Sequence, residues 1–212
     1  MVTAIILAGG QGRRMGGANK ALLRLGEQTF LERQLAAAAS WSDEVVIVYN
    51  GAASTLLPAG CAHVSVVPDI YRGAGPLAGL HAGLAAASNE AAWVLGCDQP
   101  FADAAAARLL LEEMSGFECD AALPVLGDRV QPLHGVYRRK AHKIAERLLR
   151  QGERRLTALL DHISWRRVEE GIFAARGIHP SFASDVDTPE QHEEALDRYG
   201  REGGRKSDAI SG

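Results

Sequence analysis

Cysteine is scarce in this chain: three in 212 residues, at 61, 97 and 119. Spacing that wide builds neither a disulfide framework nor a zinc pattern. Burial as small hydrophobes accounts for Cys61, Cys97 and Cys119. A basic surplus is missing as well. Lys plus Arg number 23 against 26 Asp plus Glu, a net charge of −3, whereas a duplex-binding protein carries a basic excess or stripe. Nucleic acid is therefore not the expected partner. No apolar run approaches the ~20 residues that cross a bilayer. The opening "MVTAIILAGG" has no basic leader region and no small-residue cleavage site, and glycines cut its apolar run short. These absences lead to the expectation of a cytoplasmic protein with no membrane partner. A Ser/His or Cys/His constellation is not found either, and Ser181 and Ser184 stand without nucleophile context.

What the chain does have is ordinary core material. Hydrophobic residues make up 47% and charged residues 23%, enough to bury a real core in one domain. Short apolar runs alternate with longer helical patterns. "TAIIL" (3–7), "EVVIV" (44–48), "HVSVV" (63–67) and "AAWVLG" (91–96) read as buried strands, with "DAALPV" (120–125) and "HGVYR" (134–138) as further candidates. Thr29 and Glu32 form a capping box for a helix through "FLERQLAAAAS". Pro76 suits the first position of "PLAGLHAGLAAAS". Glycines end "AAAARLLLEEMSG" (104–116) and "AHKIAERLLRQG" (141–152). Thr188, Pro189 and Gln191 start a last helix, "PEQHEEALDRYG". This alternation predicts a single α/β domain over residues 1–200, a three-layer α/β/α sandwich around a mostly parallel sheet. The tail 201–212, poor in apolar residues, is expected to be disordered. Ligands of such sheets bind at the carboxyl ends of strands, at a topological switch point, so the residues after each strand carry the functional reading.

After the first strand comes "LAGGQGRRMGGANK" (7–20), with five glycines and three cations in fourteen residues. The Walker A spacing fails, because no lysine follows Gly17 directly, and the dinucleotide fingerprint fails because position 15 is Met15. The underlying physics still applies. Glycines bring backbone N–H groups to an anion, and Arg13, Arg14 and Lys20 add full charges beside them. A triphosphate or pyrophosphate is the natural match. "VLGCDQPF" puts Asp98 just past a strand. Such an aspartate serves as a turn former or as a Mg²⁺ ligand, since Mg²⁺ takes one or two carboxylates and leaves its other positions to phosphates and water. "DVDTPE" brings Asp185 and Asp187 to a helix start. Alone this is capping chemistry; beside Asp98, Asp187 becomes a second carboxylate for one Mg²⁺. "DIYRGAGPLAGLHAGL" (69–84) runs from Asp69 at a strand end into a helix N-terminus, an anion site or a plain connection. Asn50 ends the second strand as a turn former. A lone histidine is a weak signal, and His134 reads as packing.

Taken together, these stretches resemble the molybdenum cofactor guanylyltransferases within the GT-A-like nucleotidyltransferases. "LAGGQGRRMGGANK" is similar to their L-A-G-G-x-x-x-R-M-G-G-x-D-K signature, departing at Asn19, where the family has aspartate. "CDQP" resembles C-D-x-P, "GPLAGL" the family's substrate-side loop, and "DVDTPE" its late N-x-N-T-P-E or D-x-D-T-P-E motif. "GERR" (152–155), read as a helix start, and "QPLHGVYRR" match too, so the likeness spans the chain to Gly200. The resemblance implies a Rossmann-like sheet of the nucleotide-diphospho-sugar transferase type with one antiparallel strand. It implies that Leu7, Ala8 and Gly9 face the base, that Gly10 and Gly12 cradle phosphate, and that Arg13 and Lys20 neutralise charge. Asn50 and Asp69 would contact the nucleotide. Asp98 would hold nucleotide and Mg²⁺, with Asp187 as the second metal ligand. Gly75, Pro76, Gly79, Arg154 and Arg155 would face the acceptor. Asp185 receives no role.

The implied reaction is attack of the phosphate of molybdenum-loaded molybdopterin on the α-phosphorus of GTP. Pyrophosphate leaves and molybdopterin guanine dinucleotide forms. Cofactor-insertion proteins and molybdoenzymes would be partners. A phosphate monoester, with a second pKa of ~6, needs no strong base, so positioning and electrostatics carry the chemistry. Within the family L-A-G-G accompanies guanine and L-A-A-G cytosine, which makes Gly9 the residue to watch. Two other readings stay open: a CTP-dependent or sugar-phosphate nucleotidyltransferase on the same fold, and a non-catalytic nucleotide-binding module that delivers cofactor.

Overall fold

The computed structural model describes residues 1–9, 19–57 and 64–208, the last seven by their backbone alone. Gly10, Gly12 and Arg13 of the phosphate reading, and Cys61, lie outside the described residues. Strand β1 (Val2–Leu7) is buried along its whole length, the mark of a central strand covered on both faces. It pairs in parallel with β4 (Glu44–Val48) on one side and β6 (Ala91–Gly96) on the other. Beyond β4 lies β5 (Val64–Val67), also parallel. Beyond β6 the chain places β9 (Gly135–Arg138), antiparallel to its neighbours, then β7 (Ala121–Leu126) and β10 (Trp165–Glu169). A two-residue strand, β8 (Arg129–Val130), folds back on β7.

Helices cover both faces. On one face α2 (Pro76–Ala86) and α4 (Ala141–Arg150) pack on Ile5, Leu7, Val46, Val48 and Val94. On the other, α1 (Phe30–Ala39) and α3 (Ala104–Gly116) meet Ala4, Ile6, Ile47 and Trp93. This is the expected α/β/α sandwich. The chain grows from β1 outward to β4 and β5, then returns to β6 on the opposite side of β1. The switch point therefore lies between β1 and β6, where Leu7 and Gly96 stand in register.

Local chemistry explains the helix positions. Thr29 Oγ1 accepts from the Glu32 amide at 3.1 Å and Glu32 answers to the Thr29 amide at 2.6 Å, closing the capping box. Helix α2 lies close on β1 because Gly83 leaves room: a methyl there would sit 2.3 Å from Ile5 Cγ2.

Several elements differ from the sequence reading. A hairpin of β2 (Arg24–Leu25) and β3 (Gln28–Thr29) precedes α1. Strand β10, "WRRVE", buries only Val168, so it lacks the apolar run that marks the inner strands. The GERR segment is a turn ahead of a 3₁₀ helix, Leu156–Asp161, not the first turn of an α-helix. A short α5 (Glu170–Ala175) follows β10. The last helix, α6 (Pro189–Asp208), passes Gly200 and carries helical backbone into the stretch expected to be disordered. His134 stands just before β9 with φ +87°, buried between the Trp93 and Phe182 rings. It packs, as its sequence context suggested, and burial pushes its imidazole down to about 3.

Candidate functional site

Four strand ends and two later loops converge at the carboxyl edge of the sheet. The ladder runs one residue past the strands: the Ala8 amide donates to Val48 O at 3.0 Å and the Cys97 amide to Leu7 O at 3.2 Å. Residues after β1, β4, β5 and β6 thus emerge side by side.

On the β6 side the structure brings together Lys20, Asp98, Asp185 and Asp187. Lys20 opens a 3₁₀ turn, Lys20–Leu22, whose cap is Asn19: its side-chain oxygen accepts from the Ala21 amide at 3.1 Å. Asparagine and aspartate cap equally well, so the departure from the family's acid keeps the turn that presents the lysine. Lys20 Nζ lies 3.4 Å from Asp98 Oδ2 and bonds Asp187 Oδ1. Burial opposes the charge on Lys20, yet its bond to Asp187 and the Asp98 carboxylate raise its pKa above the usual lysine value. Desolvation pushes the Asp98 carboxyl up, against the pull of Lys20.

Asp187 is placed by the cap of α6. The Gln191 side chain accepts from the Asp187 amide at 2.7 Å and the Thr188 amide at 3.1 Å, while Thr188 Oγ1 accepts from the Gln191 amide at 3.3 Å. The preceding residue fastens the loop to β6, with the Val186 amide donating to Asp98 O at 2.8 Å. The Val186 side chain joins Leu25, Phe30 and Ala195 in a small core of its own. Desolvation pushes the Asp185 carboxyl up to about 6, with the charges of Asp98 and Asp187 adding to it.

On the β4–β5 side stand Asn50 and Asp69. Asn50 Oδ1 accepts from the Asp69 amide at 2.9 Å, and Asp69 Oδ1 accepts from the Tyr71 amide at 2.9 Å. Burial raises the Asp69 pKa. From the end of β5 to the end of β6 is three strand intervals, about 14 Å.

Leu7 and Ala8 are buried, the Leu7 side chain turning onto α2. Gly9 is exposed, and among the described residues a methyl added there would meet nothing within 4 Å. Gly75, at φ +75°, caps α2; a Cβ on it would stand 3.2 Å from Arg154 O, so the loop before α2 touches the GERR segment. Arg155 is forked onto Glu153 (Nη2 to Oε2, 2.9 Å), whose Oε1 also accepts from the amides of Arg154 and Arg155. Those bonds hold the Glu153 carboxyl down to about 2. Gly79 is buried on the inner face of α2, next to the Leu7 side chain and away from the cavity beside Asp98.

Next to Asp98 opens a cavity of about 310 Å³. Its charged and polar wall is Asp98, Gln99, Asp185, Gln131 and Thr157; its apolar wall is Pro76, Pro132, Leu133 and Leu156. Sequence reasoning missed Gln99 and the 131–133 loop. One signal was present: Gln34, a polar residue on the core face of α1, is fully buried and donates to Gly96 O at 2.5 Å and Gln99 O at 3.0 Å.

Carboxylates and a lysine at a switch point, beside a cavity, suit transfer of a phosphorus group. A model of the MobA-like NTP transferase domain matches residues 4–167. The molybdenum cofactor guanylyltransferase of Desulfosudis oleivorans is 33% identical over 198 residues, which cover 92% of this chain and 94% of the relative. A probable molybdenum cofactor guanylyltransferase of Pelotomaculum thermopropionicum is 35% identical over 188 residues, 88% of each chain. Among solved structures, molybdopterin-guanine dinucleotide biosynthesis protein A from Archaeoglobus fulgidus shares the fold, with a TM-score of 0.81 at 23% identity over 94% of this chain and 99% of that one. No helix among the described residues is long and apolar enough to cross a membrane. A family match running from β1 into β10, with relatives aligned over nearly the whole chain, makes this protein a nucleotidyltransferase: the chain belongs to the MobA-like NTP transferase family.

Proposed function

We propose that the protein transfers GMP from GTP to the phosphate of molybdenum-loaded molybdopterin, forming molybdopterin guanine dinucleotide and releasing pyrophosphate. The observation that carries this reading is the convergence of Lys20, Asp98 and Asp187 at the switch point, beside a cavity with an apolar wall. The names of the relatives supply the substrate class. An oxygen of the acceptor phosphate forms the new bond to the α-phosphorus, and the bond to the β-phosphate oxygen breaks. That acceptor is already an anion near neutral pH, its second pKa being ~6, which fits a site without an evident general base.

The barrier is the approach of two anions and the charge that gathers on the leaving pyrophosphate. Lys20 carries a full positive charge at this edge, kept on it by its carboxylate neighbours. Arg13, with the backbone of Gly10 and Gly12, would take the phosphates. Asn50 and Asp69 would hold the nucleoside end, with Leu7, Ala8 and Gly9 along the base. Arg154 and Arg155, Gly75 and Pro76 would bound the acceptor. A Mg²⁺ ion fits the donor set: two carboxylates, hard oxygen donors, directed to one cation, the Lys20 ammonium. Among the described residues no three His, Cys, Asp or Glu side chains are grouped to hold a metal alone, in keeping with an ion held partly by substrate phosphates. Asp98 and Asp187 would be its protein ligands, and its charge would offset that of the phosphates.

The test is pyrophosphate release by the purified protein with Mg²⁺, GTP or CTP, and molybdopterin with or without molybdenum. Release with GTP and the pterin, lost on chelation of the metal, is the expected result. Release with CTP alone reassigns the base. Binding of GTP and pterin without release turns the protein into a carrier.

A further inference from the structure

Gln99 follows Asp98 at the end of β6, and nothing in the chemistry above uses its side chain. It is 1% exposed. An amide that deeply buried is tolerated only when its hydrogen bonds are made, and Gln99 makes them on both ends. Its Oε1 accepts from the Gly96 amide at 3.1 Å. Its Nε2 donates to Leu133 O and to Asp185 Oδ1, each at 3.1 Å. From the opposite side Gln34 holds the same turn through the carbonyls of Gly96 and Gln99.

These partners belong to three segments remote in sequence: the end of β6, the loop before β9 and the loop before α6. Two of them, Leu133 and Asp185, line the cavity that Gln99 also lines, and one Gln99 nitrogen joins them. Packing alone does not call for an amide here. Methionine would fill a similar volume, but it would leave the Leu133 carbonyl and the Asp185 oxygen without a donor. Asp185 is the group with most to lose. It is crowded by Asp98 and Asp187, and like charges push apart. A donor on Oδ1 fixes the carboxylate against that repulsion. The carboxylate's other oxygen is then the one left to address an occupant of the cavity. A carboxylate repels a phosphate and accepts from N–H donors. Set against an apolar wall of Pro76, Pro132, Leu133 and Leu156, it suits a flat heterocycle bearing N–H groups, with the acceptor's phosphate directed elsewhere.

The geometry points to Gln99 as a positioning residue for the acceptor: one amide, bonded to Asp185 and to the Leu133 carbonyl, ties two lining segments of the cavity together and fixes the orientation of the Asp185 carboxylate. This rests on the reading of the cavity as the acceptor's side of a guanylyltransferase.

Gln99→Met tests it, with molybdopterin as the probe. Loss of the donor raises the KM and the separately measured Kd for molybdopterin about tenfold, while KM and Kd for GTP stay within about twofold. In the Asp185→Ala background the same substitution costs molybdopterin binding only about threefold, because Asp185 is gone and the Leu133 carbonyl alone still loses its donor. Gln99→Glu, which keeps the acceptor for the Gly96 amide but removes both donors, weakens molybdopterin binding at least as much as Gln99→Met. It provides the answer if the methionine variant does not melt cooperatively. Equal losses for GTP and molybdopterin, or an undiminished loss in the Asp185→Ala background, overturn the assignment and leave Gln99 a structural residue. A wild-type chain that transfers GMP while Gln99→Glu binds molybdopterin normally overturns the assignment alone. A wild-type chain that neither transfers to molybdopterin nor binds it overturns the functional reading beneath it as well.

Discussion

The two sides of the strand edge are held by different physics. At the β4–β5 end, Asn50 and Asp69 are joined by one hydrogen bond between residues 19 apart in sequence, and Asp69 completes its set with the amide two residues on. At the β6 end, Lys20 bridges to partners 78 and 167 residues away, and the pieces are bound by charge. The first side is built from neighbouring loops that the parallel ladder already aligns. The second has to gather three segments, two of them bearing carboxylates that repel. The bland side is suited to hold a nucleoside. The charged side is suited to chemistry, because opposed charges in a partly buried site act strongly on whatever charge develops there.

Asp98→Ala is the strongest way to break this contrast. If Asp98 is the metal ligand proposed above, its loss removes several kcal/mol of transition-state stabilisation, about a thousandfold in kcat/KM for pyrophosphate release. The fold should not suffer. Burial disfavours the Asp98 charge, and Lys20 keeps its bond to Asp187. Thermal unfolding should therefore be unchanged or shifted upward, as when a strained functional group is removed. Near-normal turnover would end the assignment of the charged side to catalysis. Lys20→Met comes next, with about a hundredfold loss in kcat/KM. Here stability should fall, because the carboxylates of Asp98 and Asp187 lose their cation. Comparing the two melting curves separates a group that the fold tolerates from one that it needs.

Much of this was legible in the sequence, and the limits have physical reasons. The inner strands declared themselves because a strand covered on both faces is apolar throughout, as β1 and β6 are. The caps at Thr29 and Thr188 were legible because they are local, three-residue chemistry. Strand β10 hid behind "WRRVE", an edge strand with one buried side chain. The acids at 98 and 187 could be named, but the separation in sequence hid that Asp185 and Gln99 touch. Gly79 misled for the opposite reason. It sits in a motif that points to the site, yet it is buried on the inner face of α2 beside Leu7. A motif reports which residues recur together, not which of them face the ligand and which hold the loop from behind.

Asn50→Ala sharpens the comparison from the bland side. It removes one hydrogen bond of 2.9 Å to the Asp69 amide, worth about a factor of ten at most. GTP KM should rise by that factor while kcat stays within about twofold. A kcat loss as deep as that of Lys20→Met would mean that the two sides do not divide their work.

Gly9→Ala is the finest test and carries the smallest expected effect. Among the described residues a methyl at position 9 meets nothing within 4 Å, and the glycine does not adopt a left-handed φ. The fold should accept alanine with no measurable loss in unfolding free energy. Any change in nucleotide choice then comes from the ligand side alone, where one added methyl next to a base discriminates by a modest factor. We expect the ratio of kcat/KM for GTP over CTP to fall about fivefold, with total turnover on the better nucleotide nearly kept. Because the mutation leaves both Asn50–Asp69 and the Lys20 cluster untouched, a shifted ratio locates base selection at the end of β1, between the two sides. An unshifted ratio moves it outward, to the loop that Asn50 and Asp69 hold.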